Sequence, residues 1–194
     1  MRVKLNFILI CSLISMFSFS QEISKPLIKP SEGKCILYFV RPNFTLSSLG
    51  FKMFIDDKYL GKLKQREYLY YECEPGEHVI WATAVNEDFV KASFEANKIY
   101  VVRLKPVHDD LLSSDLRLNV LNPLDYDDAK DFSKSINKDN GRKFTEVSVQ
   151  FEDEYELIVK SMKTYNRLLK KNSDRIEVLS SNMNFLNSNY PEKK

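Results

Sequence analysis

The sequence predicts a mainly β fold: an antiparallel β-sandwich of about seven strands followed by a C-terminal helical extension. Three observations carry this prediction. Short apolar or alternating runs recur between turn signals from residue 33 to residue 105. The composition turns acidic after Pro106. From residue 152 onward, apolar positions return at steps of three and four, the period of a helix face.

The strands follow in order. Residues 34–41 contain Cys-Ile-Leu-Tyr-Phe-Val without a polar break, which suits a strand buried on both faces. Pro42 stops it. Residues 43–50 are a polar loop. Phe51, Met53 and Ile55 then alternate with their neighbours, and Asp56-Asp57-Lys58 makes a turn into a return strand over 59–63. Residues 67–73 are a Tyr-rich β run, and Pro75-Gly76 is a turn, because Pro presets φ and Gly accepts positive φ. Strands over 78–85, 89–94 and 99–104 complete the set.

Ahead of this domain, Arg2 and Lys4 precede an apolar run from Phe7 to Phe17, and the small residues Ser18 and Ser20 close it. That order is the signature of a signal peptide over 1–20, cut before Gln21. The run is about ten residues long, half of what a spanning helix needs. Leu9 and Ile10 stand where a lipobox would place small residues before Cys11, so no lipid anchor is expected. Residues 21–32 read as a linker. The chain has 29 Lys+Arg and 27 Asp+Glu. The surplus is Arg2 and Lys4, so the mature chain is formally neutral. Neutrality argues against a nucleic-acid partner, which needs a basic surplus to neutralise phosphates. The expectation is an exported chain, periplasmic or extracellular, with no transmembrane helix in its mature form.

The string Phe54-Ile-Asp-Asp-Lys-Tyr-Leu-Gly-Lys-Leu63, then Tyr68-Leu-Tyr-Tyr71, then Glu74-Pro-Gly-Glu-His-Val-Ile80 resembles the PEGA-type repeat. In that repeat a hairpin leads to Pro-Gly-(Glu/Lys)-His and a further strand. Tyr38-Phe-Val-Arg-Pro42 lies upstream and Asn97-Lys-Ile-Tyr-Val-Val102 downstream. With them, residues 33–106 are similar to a bacterial cell-envelope family of unknown function, often lipoproteins. The resemblance implies a sandwich and a place in the envelope. It supplies no catalytic residues, and the missing lipobox departs from the family's usual tether.

Cys35 shares a strand face with Leu37 and Phe39, and Cys73 with Leu69 and Tyr71. Two inward cysteines on neighbouring strands of an exported domain either form a disulfide or stay as buried thiols. There is no Cys-x-x-Cys motif, so no redox motif is read here.

Residues 107–151 form an acidic helix-and-turn region. Val107–Val120 reads as a short helix or irregular segment. A helix begins at Pro123 with Asn122 as N-cap and Asp125, Asp127 and Asp128 in its first turns. These carboxylates offset the helix dipole, and their spacing fails the calcium-loop template. A turn at 138–141 and a late edge strand at 144–151 follow. Residues 152–194 read as a helical segment with a frayed tail. Its stripe runs through Tyr155, Ile158, Met162, Tyr165, Leu169, Ile176 and Leu179, then Met183 and Leu186. It either packs on the chain's own sandwich or serves a partner or self-association.

His78 and His108 are the two histidines, which gives no zinc pair by spacing. Gly-x-Ser-x-Gly, His-Glu-x-x-His and a Gly-rich phosphate loop are absent from the sequence. No catalytic residue, metal site or cofactor is therefore assigned. The expected function is a non-enzymatic envelope binding or adaptor module whose partner is a protein or another envelope component. One alternative is a small-ligand or glycan binder that uses exposed Tyr68, Tyr70, Tyr71 and Trp81. The other is an envelope hydrolase or metal-dependent protein built on Asp125, Asp127 and Asp128.

Overall fold

A computed structural model describes residues 25–42, 50–107, 115–143 and 151–186. The strands are β1 (Cys35–Arg41), β2 (Phe51–Ile55), β3 (Lys58–Leu63), β4 (Glu67–Cys73), β5 (Gly76–Thr83), β6 (Glu87–Phe94), β7 (Ile99–Val107) and β8 (Asp115–Val120). Helix α1 (Tyr126–Lys138), β9 (Asn140–Lys143), helix α2 (Phe151–Lys170) and β10 (Ile176–Leu179) follow. The strands form two five-stranded sheets, ordered β8-β7-β1-β4-β9 and β10-β6-β5-β2-β3. The fold is mainly β, sandwich-like, with helices attached, as the sequence predicts.

Alternation along β1 explains the layers. Cys35, Leu37 and Phe39 enter the core between the two sheets. Ile36, Tyr38 and Val40 point the other way, into a second cluster with Phe132 and Ile136 of α1 and Phe185 near the C-terminal end. A third cluster sets Phe54, Trp81 and Phe89 of the second sheet against Tyr165 of α2. The order of layers is α1, first sheet, second sheet, α2. Strand β1 reads as apolar throughout because a sheet covers one face and a helix the other.

Several expectations are corrected. The sheets are mixed, because β1 runs parallel to β7, β4 to β9 and β6 to β10. The sheets also draw strands from beyond residue 106. Residues 115–120 are a strand, since Leu116 and Leu118 point into the core while Asp115, Arg117 and Asn119 alternate with them. The expected turn at 138–141 is the end of α1 and the start of β9. Residues 144–150 of the expected late strand lie outside the described residues. Residue 151, its last, opens α2.

The helical stripe also stops early. Helix α2 ends at Lys170, Asn172 takes a left-handed φ of 45°, and Ile176–Leu179 joins the edge of β6. Residues 176–179 gain a ladder of backbone hydrogen bonds there, which a continued helix on the outside would not supply. Helix α1 starts later than expected: Asp125, not Asn122, is its N-cap, and its Oδ1 accepts from the Asp128 N–H at 3.0 Å. Asn122 instead closes a local turn, its Oδ1 accepting from Leu124 N–H at 3.0 Å.

One close contact joins the two sheets and another packs within the first. Arg41 is buried, its Nη1 donating to the Leu63 carbonyl at 2.9 Å and its guanidinium 4.3 Å from the Phe51 ring centre. Burial pulls its pKa down to about 10, which leaves it charged at neutral pH. Gly141 in β9 lies so close to the Tyr68 ring that a Cβ there would push the ring aside. Among the described residues, no helix is long and apolar enough to cross a membrane.

Candidate functional site

Two places concentrate chemistry that the fold itself does not consume: the outer face of α2, and one end of the sandwich where β1, β2, β3, β4 and β5 begin or end.

The stripe predicted along α2 divides. Tyr165 is buried in the third cluster, and Ile158 and Met162 pack half-buried beside it. Ile176 joins the same cluster from β10, and Leu179 enters the central core. Tyr155 and Leu169 stay 65% and 45% exposed. From Lys160 onward runs a cationic surface that the stripe did not include. Lys160, Lys163, Arg167, Lys170 and Lys171 are all exposed, and no acid falls between Val159 and Lys171. Four of these cations, with Asn166, line an open hollow of about 480 Å³ along the helix. Two polar contacts moor the helix: Lys52 Nζ lies 2.7 Å from Glu154, and Ser161 Oγ donates to Glu87 at 2.9 Å.

The strand-end site is built around Asp56 and His78. Asp56 turns β2 into β3 with a left-handed φ of 52°, a conformation Asp tolerates. Its Oδ1 accepts from Val79 N–H at 2.8 Å, and its carbonyl accepts from Trp81 Nε1 at 2.8 Å. Its Oδ2 is 2.7 Å from His78 Nδ1, while His78 Nε2 is 3.0 Å from the Glu74 carbonyl. A carboxylate and a carbonyl are both acceptors, so the arrangement suits a ring that donates from both nitrogens. That is the imidazolium form. The hydrogen bond to Asp56 raises the His78 pKa against its burial. Burial pushes the Asp56 carboxyl up, but the hydrogen bonds from His78 and Val79 outweigh it and hold it below the ordinary range.

The thiols lie beside this pair. Cys35 and Cys73 face each other as the terminal residues of the β1–β4 ladder. Both are free and buried, with Sγ atoms 3.2 Å apart. Cys35 Sγ is also 3.3 Å from the carbonyls of Cys73 and Glu74. The hydrogen bond with Cys73 draws the Cys35 pKa down against burial, and the His78 charge adds to this. Cys73 is pushed up by the same hydrogen bond and by burial.

The remaining predicted residues have structural roles. Trp81 is fully buried, stacked 3.8 Å from Phe54, and presents no face to solvent. Tyr68 and Tyr70 are half-buried against Tyr38, beside α1. Asp125 caps α1, and Asp128 accepts from Asn122 N–H and pairs with Arg103 at 3.3 Å. His108 lies outside the described residues. Among the described residues no group of three or more His, Cys, Asp or Glu is placed to hold a metal.

A polar seam joins the two sheets at β8. Leu116 N–H donates to Asn86 Oδ1 at 2.6 Å, and Leu118 N–H to Asp88 Oδ2 at 2.7 Å. Val120 supplies a backbone hydrogen bond to Glu177. Side chains of Asn86 just before β6, of β6 and of β10 thus stand in for a missing neighbour strand and satisfy an otherwise open edge. Burial pushes the Asp88 and Glu177 carboxyls up. The adjoining groove, about 360 Å³, sets Lys105, Arg117 and Arg175 against Asp88, Asp174 and Glu177.

Sequence reasoning missed the cationic face because its charges also suit the helix dipole. It missed the Asp56–His78 pair because nothing local joins residues 22 positions apart. No protein-family model matches the chain, and no curated protein matches it.

Proposed function

We propose that this chain is an exported, non-enzymatic binding or adaptor module of the cell envelope, a PEGA-like sandwich that makes its contacts through the outer face of α2. The observation that carries the reading is the exposure of Tyr155 and Leu169 on a helix whose outer surface is cationic. Scattered apolar side chains on a surface need no explanation. Here Lys160, Lys163 and Arg167 lie between them and Lys170 and Lys171 directly follow, with Glu156 the one acid from Tyr155 to Lys171. A partner surface that is acidic and carries apolar side chains is complementary to such a face. A second copy presenting the same face would repel it, since a two-fold interface pairs like with like. The favoured partner is therefore an acidic protein or envelope component rather than this chain.

The test is sedimentation of the full chain with envelope material at two salt concentrations. The Tyr155→Ser/Leu169→Ser and Lys163→Glu/Arg167→Glu pairs are compared with the unaltered chain. Binding falls at higher salt, because exposed charges are screened, and each pair weakens it about tenfold or more. Binding that both pairs leave intact would overturn the assignment.

A further inference from the structure

We infer that Cys35 and Cys73 form a cross-strand disulfide by exchange with a disulfide oxidant of the glutathione type, and that His78 acts as a positioning charge for that step. The geometry carries this first. Directly opposed residues of an antiparallel pair have Cα atoms about 4.5–5.5 Å apart, within the range a disulfide spans. The sulfurs already lie 3.2 Å apart and face each other. The two cysteines are 38 residues apart in sequence, so the fold makes a pair that no short motif announces.

Both thiols are buried, but they are the end pair of their ladder. Ladder ends open at far lower cost than a whole sheet, which gives an oxidant access without global unfolding. The placement of the His78 ring is the second observation. It is fixed by two acceptors, its side chain is 15% exposed, and it favours a thiolate on Cys35. Glu74 and Asp56 oppose ionisation of the pair, and the Lys34–Glu74 ion pair offsets part of that opposition. Tyr100 on β7 also interacts with both thiols, and Glu72 on β4 acts on Lys34.

The step balances. The Cys35 thiolate attacks one sulfur of the oxidant, the oxidant's S–S bond breaks, and one small thiolate leaves. Cys73 then attacks the protein sulfur of the mixed disulfide, the Sγ–Sγ bond forms, and the second small thiolate leaves. Two protons and two electrons pass from the protein to the oxidant.

The test uses the full chain with Cys11→Ser, so that only the pair is counted. After equilibration with glutathione disulfide, the chain is unfolded, alkylated and weighed. The expected product takes no alkyl group and has lost two hydrogens. Two alkylated cysteines, or a chain that stops at one glutathione adduct, would sink the inference. In a Cys73→Ser background the adduct on Cys35 accumulates; no adduct there would overturn the assignment of Cys35 as the attacking thiol. The role of His78 is read from the pH profile of the oxidation rate. His78→Gln is expected to move the midpoint upward by about one pH unit. An unchanged midpoint in that variant would remove His78 from the step. Failure of envelope binding leaves these outcomes untouched, because the thiol pair and the α2 face are separate regions.

Discussion

The two helices cover equivalent faces of the sandwich, but they do so differently. Helix α1 has 13 residues and fully buries Ala129, Phe132, Ser135 and Ile136. Phe132 meets Tyr38 edge-on at 5.5 Å and Phe185 at 4.9 Å, and Arg103 clamps the helix through Asp128 and Asp131. Helix α2 has 20 residues, yet among its described side chains only Ser161 and Tyr165 are fully buried. The longer helix is the more shallowly seated. Helix α1 completes a core, whereas α2 closes a sheet face and keeps a surface of its own outside.

The largest test of this contrast is truncation of the two anchors. Phe132→Ala should cost about 3–5 kcal/mol, the usual range for removing a packed core aromatic. Tyr165→Ala should cost clearly less, because most of its neighbours on α2 are half-buried. Urea denaturation of both variants checks this, and equal losses would break the comparison.

A smaller effect follows from pH. His78 is held up in the folded chain, so its contribution is complete below its unfolded range near 6.5 and is lost as pH rises through the folded value. Asp56 is held down, so its contribution is present above about 3.9 and is lost as pH falls through the folded value. The Asp56 carbonyl also anchors Trp81, which lies in the cluster beneath α2. Raising pH through the folded His78 range should therefore weaken hydrogen-exchange protection in α2 before α1. Loss in both helices together would show that the two are one cooperative unit.

The smallest effect is expected at the exposed positions. Tyr155→Ser and Leu169→Ser should each change stability by no more than about 0.5 kcal/mol. A larger thermal shift would mean that these side chains serve the fold, and the contact surface would have to be sought elsewhere.

Much of the sandwich was legible in the sequence. Asp56-Asp57 and Pro75-Gly76 mark turns whose backbone needs suit those residues, and β4 between them buries Leu69 and Cys73 on one face. The errors fell where one local pattern fits two structures. Ile176 to Leu179 extends the spacing of α2 and is also β-branched at Ile176 and Val178, so periodicity alone could not separate helix from strand. Leu116 and Leu118 were too short a run to outweigh the acids before them. At the candidate sites, the exposed ends of the α2 stripe were visible as residues but not as a surface, because exposure depends on what the opposite sheet reaches.

By itself, the sequence determined where chain direction changes, which positions are apolar, and that α2 runs from acidic to basic. These are local properties, set by backbone preferences and side-chain spacing within a few residues. Only the tertiary structure decided the parallel pairings of β1 with β7 and β6 with β10, the depth at which each helix sits, and the meeting of Cys35 with Cys73 beside Asp56 and His78. Those outcomes join distant segments, so they depend on which burial and hydrogen-bonding gains repay the entropy of closing the chain between them.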